Sequence, residues 1–567
     1  MELFLIDAIG PFFRGHTGKR INWSKIPFVM LDESPPTWDR IRADVWKFCK
    51  ESSALGYNAV TLDDVAHLYH HPLHEEELRL RIAFLRDQFR QIFRIVIESK
   101  MQVFLTVDAV PMTAALERHF CYDREAIDRY FQNMIASVLD DFPEIAGIIL
   151  RIGESDARDV KDPLKSHLHI KSAAHANEVL HLLLPEFVAR ERTLIFRTWT
   201  VGAYGIGDLI WHRDTISRAL AGLGGEHFIV SMKHGESDFF RYLPLNKAFF
   251  HVPQKKIIEL QARREYEGAG EYPSFILKDC LAFHTQLATI KNMVGMSVWC
   301  QTGGWHRFKR LAFLQQDESD RWIRANVLAA IRIFRYGDSR DEFLQHWMPQ
   351  HAKEAGQFID SCDHLIEQGL YIKSYARQKN FFRRLRLPPL LHTYWDSVYV
   401  HPFLRVFKQQ LICDYESELA ADSQLMSEFA KLKANCQAWG WPADDIEHME
   451  DLWRILLLVR AYYFSPDSDK ALSMVRDAKK AYKKRWPAAQ RTRYRIKTNF
   501  PRQALSPKLV KWCSKIFLRG KRGYRIFDQI VTIHGLAILF KATSANSRKA
   551  LPKALRKLAM GIDTLFR

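Results

Sequence analysis

The sequence predicts an α/β protein: a (β/α)8 TIM barrel followed by a C-terminal all-α domain. Three observations carry that expectation. Eight short apolar runs follow one another through the first 300 residues, segments of helical periodicity lie between them, and after Trp305 the strand pattern gives way to helices alone. A βαβα alternation sustained over eight strands defines a closed barrel or a large doubly wound sheet. No Gly-rich dinucleotide turn follows the first run, which lowers the doubly wound option.

The strands are expected at Phe4–Ile9, Asn58–Leu62, Gln102–Val107, Gly147–Arg151, Leu194–Thr198, Phe228–Lys233, Ile257–Gln261 and Gly295–Cys300. Most are apolar on both faces, as strands of a parallel sheet covered on both sides must be. Ile257–Gln261 is the weakest, because it carries Glu259. Spacings of roughly 30 to 55 residues leave room for one helix and its loops per unit.

The intervening segments read as helices. Glu75 to Lys100 and Lys171 to Arg190 carry apolar residues at helical spacing, and Ile127, Tyr130, Phe131, Met134, Ile135 and Val138 form one stripe within Asp123 to Asp141. Beyond the barrel, helices are expected at Asp320–Phe334, Asp341–Ser361, Leu390–Asp414 and Ile446–Phe464, with breaks at Pro388, Pro389, Pro442 and Pro466. The expected organisation is a catalytic barrel over 1–317, a helical domain over 318–475 and a basic helical tail over 476–567.

Charge is uneven. From Arg476 onward there are 25 Lys and Arg against three Asp, a net +22, so the whole-chain +18 leaves residues 1–475 at −4. The composition is that of an ordinary globular protein, which excludes collagen-like, low-complexity and disordered classes. The eight cysteines are scattered without a C-x-x-C pair, and the first residues lack a basic, then apolar, leader pattern. Both point to reduced thiols in a cytoplasmic protein. The longest apolar run, Ile530 to Phe540, is too short to span a bilayer and contains His534.

Strand ends carry the candidate chemistry. In a parallel barrel they share one face, so Arg151-Ile152-Gly153-Glu154, Lys233 through Phe239 and Arg264-Glu265-Tyr266-Glu267-Gly268 converge on one mouth. Glu154 suits a general acid if its surroundings raise its pKa, although for a single such carboxylate the structural role is the favoured reading. Asp238 and Glu265 follow adjacent strands and suit a pair that activates one water; the bland reading is a salt-bridge rim with Arg241, Arg263 or Arg264.

Arg151, Arg197 and Lys233 suit a cationic floor for an anionic substrate, or neutralise the barrel's own acids. Asp63, Asp64 and Asp108 suit hydrogen bonds to sugar hydroxyls, or helix caps. Trp299 and Trp305 are candidate stacking faces for a sugar ring, against the simpler role of core aromatics. His67, His70, His71 and His74 form a cluster, and His167 and His169 an H-x-H pair; no spacing completes a metal-ligand set, so loop polarity is the favoured reading.

On these residues the chain resembles the family-67 alpha-glucuronidases, glycoside hydrolases that remove glucuronic or 4-O-methylglucuronic acid from xylan fragments. The resemblance covers roughly residues 1–350 and lies in Arg14 through Trp23, Gly56 through Val65, Lys233 through Phe239, Glu265-Tyr266-Glu267-Gly268 and Trp322 through Trp347. It implies Glu154 as general acid, Asp238 and Glu265 as the base pair, Arg197 and Lys233 on the sugar carboxylate, and inversion at the anomeric carbon. It implies no metal and no organic cofactor.

Three departures are expected. The family's N-terminal β-sandwich has no counterpart, because strand one is read beside Met1. The family's strand-one Trp-Asp segment is replaced by Asp7-Ala8-Ile9-Gly10, and its strand-four lysine by an arginine shifted one position.

The expected function is thus an exo-acting, inverting glycoside hydrolase on a terminal uronic-acid-like sugar of an oligo- or polysaccharide. The alternatives are a glycosidase of different specificity on a surface or lipid-linked glycan, and a non-catalytic carbohydrate-binding protein. The basic tail suggests attachment to an anionic membrane surface, peripheral to the inner membrane. An amphipathic stretch, Ala550 to Phe566, supports this, with a solvated basic face as the bland alternative and nucleic acid the disfavoured partner. The helical domain is the expected surface of a homodimer.

Overall fold

Each barrel strand alternates two kinds of neighbour, and that alternation explains the fold. In the computed structural model, which describes residues 1–14, 26, 28–153, 162–166, 169–200, 209, 213–235, 238–301, 310–376, 379–380, 385–386, 389–391, 397–412, 414–419, 422–499, 508, 511–512 and 518–519, eight parallel strands close into a barrel. They are β1 (Leu3–Asp7), β2 (Ala59–Leu62), β3 (Gln102–Asp108), β4 (Ile145–Gly153), β5 (Thr193–Thr200), β6 (Phe228–Lys233), β7 (Lys255–Gln261) and β8 (Met293–Trp299). All eight expected strands are present within a few residues of their expected ends.

Residues facing outward, such as Ile6, Val60, Leu105, Phe196, Val230 and Ile258, belong to the large core shared with the surrounding helices. Inward-facing residues build a second core low in the barrel: Leu5, Ala59, Phe104, Ile149, Ile195, Ile229 and Ile257. Burying each large apolar side chain contributes about 1.5–3 kcal/mol, so the barrel is a packed body and not a pore. The seam between β8 and β1 needs Gly295. A Cβ there would lie 1.8 Å from the carbonyl oxygen of Leu3.

The outer helices start and stop where the sequence signals them. α1 (Pro35–Leu55) begins with two prolines after Ser34 and ends at Gly56, whose φ of 109° is accessible to glycine. α2 is Glu76–Glu98. α3 (Arg124–Asp141) is capped by Asp123, which accepts from the Ala126 amide, and α4 (Ala173–Val188) by Ser172, which accepts from the His175 amide. α5 (Arg213–Ala219) and α6 (Leu277–Leu287) follow β5 and β7. Between β6 and β7 the described residues hold only a 3-10 turn, Lys247–Phe250. The segment is short and carries Pro244 and Pro253, which remove backbone donors.

α7 (Arg321–Ile331) completes the ring of helices. Arg324 pairs with Glu51 of α1 at 3.7 Å, and Tyr57 donates to the Val327 carbonyl at 2.8 Å. The barrel unit therefore extends past the boundary expected at residue 317. α7 continues as a π-turn to Tyr336 and stops at Gly337.

The helical domain contains α8 (Arg340–Trp347), α9 (Ala352–Leu370), α10 (Pro402–Gln409), α11 (Asp422–Ala438), α12 (Asp444–Phe464) and α13 (Ser468–Arg485). The helix expected over Asp341–Ser361 is two helices, divided beside Pro349. The helix expected over Leu390–Asp414 is shorter among the described residues. Ser397–Tyr399 is a strand pairing in parallel with Arg495–Lys497, and among the described residues of this segment Pro402–Gln409 is the helical part.

That pairing bears on the basic segment. The boundary expected at 475/476 falls inside α13, and Tyr494 places its hydroxyl 3.1 Å from the Tyr272 hydroxyl and donates to the Tyr266 carbonyl at 3.1 Å. Residues 476–499 thus fold onto the helical domain and the barrel. The expected amphipathic stretch Ala550–Phe566 lies outside the described residues. Among those described, no helix is long and apolar enough to cross a membrane.

Candidate active site

Above the apolar layer, the same inward alternation turns polar. Ile257 is followed on its face by Glu259 and Gln261, Ile229 by Ser231 and Lys233, Ile195 by Arg197 and Trp199, Ile149 by Arg151, and Phe104 by Thr106 and Asp108. Strand register makes Asp108 the neighbour of Arg151, Arg151 of Arg197, Arg197 of Ser231, and Lys233 of Glu259. The mouth of the barrel is therefore a ring of charges. A cavity of about 30 Å³ in this ring, lined by Asp63, Arg151, Arg197, Glu259 and Trp299 among others, holds roughly one water.

Each of the three expected cations faces a carboxylate. Arg151 grips Asp108 through both ends of its fork, at 2.8 and 2.9 Å, and both side chains are buried. Arg197 Nε lies 3.0 Å from both oxygens of Glu259, and Ser231 Oγ donates to the same carboxylate at 2.7 Å. The guanidinium of Arg197 also covers the face of Trp299 at 4.1 Å. Lys233 Nζ bonds Asp238 Oδ1 and sits 4.1 Å from the Trp199 ring centre and 4.3 Å from that of Phe239.

The two base-side carboxylates stand on loops leaving neighbouring strands β6 and β7, and both are buried. Asp238 accepts from Lys233 at one oxygen and from the Tyr266 hydroxyl at the other. Its φ is +46°, a conformation costing of order 1 kcal/mol for a side-chain-bearing residue, and these two bonds help hold it. The backbone at Glu265 is held by its amide, which donates to Gln261 Oε1 at 2.7 Å.

The Glu265 loop is fastened from below by Glu267. That buried carboxylate accepts from Arg264, Ser274 and Tyr371, and lies 3.8 Å from Arg241. Burial alone would raise its pKa, but Arg264 and Arg241 hold it below the usual carboxylate value. Tyr371 belongs to the helical domain, as does the Asp363 that Arg241 bonds at 3.1 Å.

Several expectations meet corrections here. The proposed rim partners Arg241 and Arg264 engage Glu267, Asp279 and Asp363. Arg263 donates to the Gln301 carbonyl at 3.0 Å and keeps an electrostatic attraction to Glu265, as the rim reading has it; burial outweighs that attraction and brings its pKa down to about 10. Among the described residues Asp63 accepts from the Ile26 amide at 2.7 Å and Thr106 Oγ1 at 2.5 Å, neither of them in a helix, while lining the cavity. Asp108 is fully buried beneath Arg151. His67, read as a polar loop residue, is instead buried between Asp64 and Asp162. Trp299 is at the mouth. Glu154 and Trp305 lie outside the described residues.

Glu259 is the residue that sequence reasoning missed. In the sequence it stands as a flaw in an apolar strand, yet it shares the inward face with Ile257 and Gln261 and joins Arg197 and Ser231 in the floor.

Neither the family models nor the curated proteins contain a match to this sequence. Solved structures do resemble it. A GH138 enzyme targeting pectin rhamnogalacturonan II superposes with a TM-score of 0.52 at 12% identity, over 85% of this chain and 62% of that one. The chain thus spans less than two thirds of that enzyme's length. CpGH89 from Clostridium perfringens, in complex with its substrate GlcNAc-alpha-1,4-galactose, gives a TM-score of 0.42 at 9% identity, over 85% of this chain and 53% of that one. An O-GlcNAc hydrolase mutant from Thermobaculum terrenum gives 0.35 at 10% identity, over 89% and 93%. At such identities the GH138 likeness is one of fold: this chain is a (β/α)8 barrel with a helical C-terminal region.

Proposed function

We propose that this chain is an exo-acting, inverting glycoside hydrolase resembling the alpha-glucuronidases, which removes a terminal uronic-acid-like sugar from an oligo- or polysaccharide. The observation that carries this reading is the position of Asp238 and Glu265 on adjacent loops above a charged barrel floor. The fold shared with a GH138 enzyme supports it.

In this mechanism Glu265 accepts the proton of the attacking water. Both oxygens of Asp238 already accept hydrogen bonds, which suits it to orienting that water. Glu154, immediately after β4, protonates the leaving oxygen as the family resemblance implies. Water attacks the anomeric carbon from the face opposite the leaving group, so the product's anomeric configuration is inverted. Such an acid and base stand about 6.5–9.5 Å apart.

The test is turnover of a panel of aryl glycosides, with the first-formed anomer read by NMR. An aryl glucuronide should yield the inverted sugar, and Glu265→Gln should lower kcat by about 10²–10⁴. Retention of configuration, or a Glu265→Gln enzyme of normal rate, overturns the mechanism. Glycan binding without turnover of any glycoside favours the non-catalytic alternative.

A second reading is favoured by one observation: Arg151, Arg197 and Lys233 each already face a carboxylate. Their mutual neutralisation suits a neutral or otherwise decorated sugar, and the same panel separates the two by which glycoside is cleaved. Attachment of the basic segment to an anionic membrane is a separate proposal. Equal flotation with anionic vesicles for the full chain and one lacking residues 500–567 rejects it.

A further inference from the structure

The rim of the barrel mouth carries a convergence of donor atoms that the proposed hydrolysis does not use. Asp128 lies in the first turns of α3, His175 in the first turn of α4, and His169 on the loop leading into α4. Helices of a βα unit start beside the C-terminal ends of its strands, so both turns belong to the face of the barrel that carries Asp238 and Glu265.

The three side chains aim at one point. His169 Nε2 is 2.9 Å from Asp128 Oδ1, and His175 Nε2 is 3.2 Å from Oδ1 and 3.1 Å from Oδ2. The donor atoms of all three lie within 4.8 Å of one another. His175 is almost equidistant from the two oxygens, so its hydrogen bond to the carboxylate is shared between them. The two imidazoles stand 4.9 Å apart at 76°, viewing the carboxylate from different sides.

Four ligands about 2.0–2.1 Å from a tetrahedral zinc ion lie about 3.3 Å from each other, close to these separations. The side chains are between 7% and 13% exposed, enough to admit an ion and a water as fourth ligand. The Ser172 cap fixes the backbone of His175 through its amide. Arg124 lies 3.8 Å from Asp128 but is also paired with Glu178, which offsets part of its charge toward an incoming cation.

We propose that Asp128, His169 and His175 form a binding site for one divalent transition-metal ion of the zinc class. The donor set of two imidazoles and a carboxylate suits such an ion better than magnesium or calcium, which take oxygen ligands. Bound there, the ion ties α3 to α4 and to the loop joining β4 to α4. Its role is structural, and the hydrolytic mechanism does not pass through it.

The experiment is titration of the chelator-stripped full chain with cobalt(II), read by visible absorption, followed by displacement with zinc(II). The expected result is the intense band of a four-coordinate site, saturating at one equivalent and bleached by one equivalent of zinc. His169→Ala and His175→Ala should each weaken binding by at least about tenfold, while His71→Ala, in the separate histidine cluster, leaves it unchanged.

Circular dichroism checks that each variant folds. The partly exposed His169→Gln serves as the second variant if either alanine does not, and zinc should raise the melting temperature of the wild type but not of this variant. Absence of the cobalt band, or a band that survives folded His169 and His175 variants, overturns the proposal.

Discussion

Replacing His67 by glutamine should make this protein's stability much less dependent on pH on the alkaline side. His67 is 3% exposed. Its Nδ1 is 2.6 Å from Asp64 and its Nε2 3.2 Å from Asp162, with the Phe28 ring stacked on it at 4.0 Å. Burial acts to discharge the imidazole, but the two carboxylates outweigh it and lift the pKa to about 9.

A histidine in the unfolded chain titrates near 6.5. Between these two values the folded protein keeps a proton that the unfolded chain has released, so stability falls as pH rises. The contribution is fully present below about pH 6.5 and lost once the folded group titrates, near pH 9. The rise from 6.5 to about 9 corresponds to about 3 kcal/mol. Urea unfolding of wild type and His67→Gln should therefore differ by about 3 kcal/mol more near pH ~6 than near pH ~9.5. A stability difference that stays constant across that range refutes the charged sandwich.

Three other outcomes follow from the same structure. Glu259→Gln leaves the buried guanidinium of Arg197 facing a neutral amide, and should cost about 3 kcal/mol in urea unfolding; pairing Glu259→Leu with Arg197→Met should recover most of it, and additive losses would contradict this. Gly295→Ala forces the β8–β1 seam apart and should abolish cooperative unfolding or soluble expression, so a variant as stable as wild type would refute the close approach. Tyr266→Phe removes one of the two bonds on Asp238 and should lower kcat about tenfold or more with little change in KM, measured on whichever glycoside is cleaved.

The barrel was legible because its strands have apolar outward faces and the apolar inward layer lies low on each strand, so short runs looked uniformly buried. The same uniformity hid the polar upper layer. Reading β7 at period two from Ile257 finds Glu259 and Gln261 on one face, and that signal was in the sequence all along. Pro349 likewise marked the split between α8 and α9.

Other features depend on contacts between distant residues. The pairing of Ser397–Tyr399 with Arg495–Lys497 spans nearly a hundred positions. Asp238 has one partner five residues away, inside its own motif, and the other, Tyr266, on the loop after the neighbouring strand. Asp128 meets His169 and His175 only because α3 and α4 are neighbours in the ring.

The hydroxyls of Tyr371 and Tyr494 have a practical consequence. Both come from beyond the barrel, yet both end on the short stretch flanking Glu265, one on Glu267 and one on the Tyr266 carbonyl. A protein engineer who excises the barrel alone would cut two guy-lines of its reactive loop. Chimeras that exchange barrels should carry the downstream residues through 497 along with them, as one inherited unit.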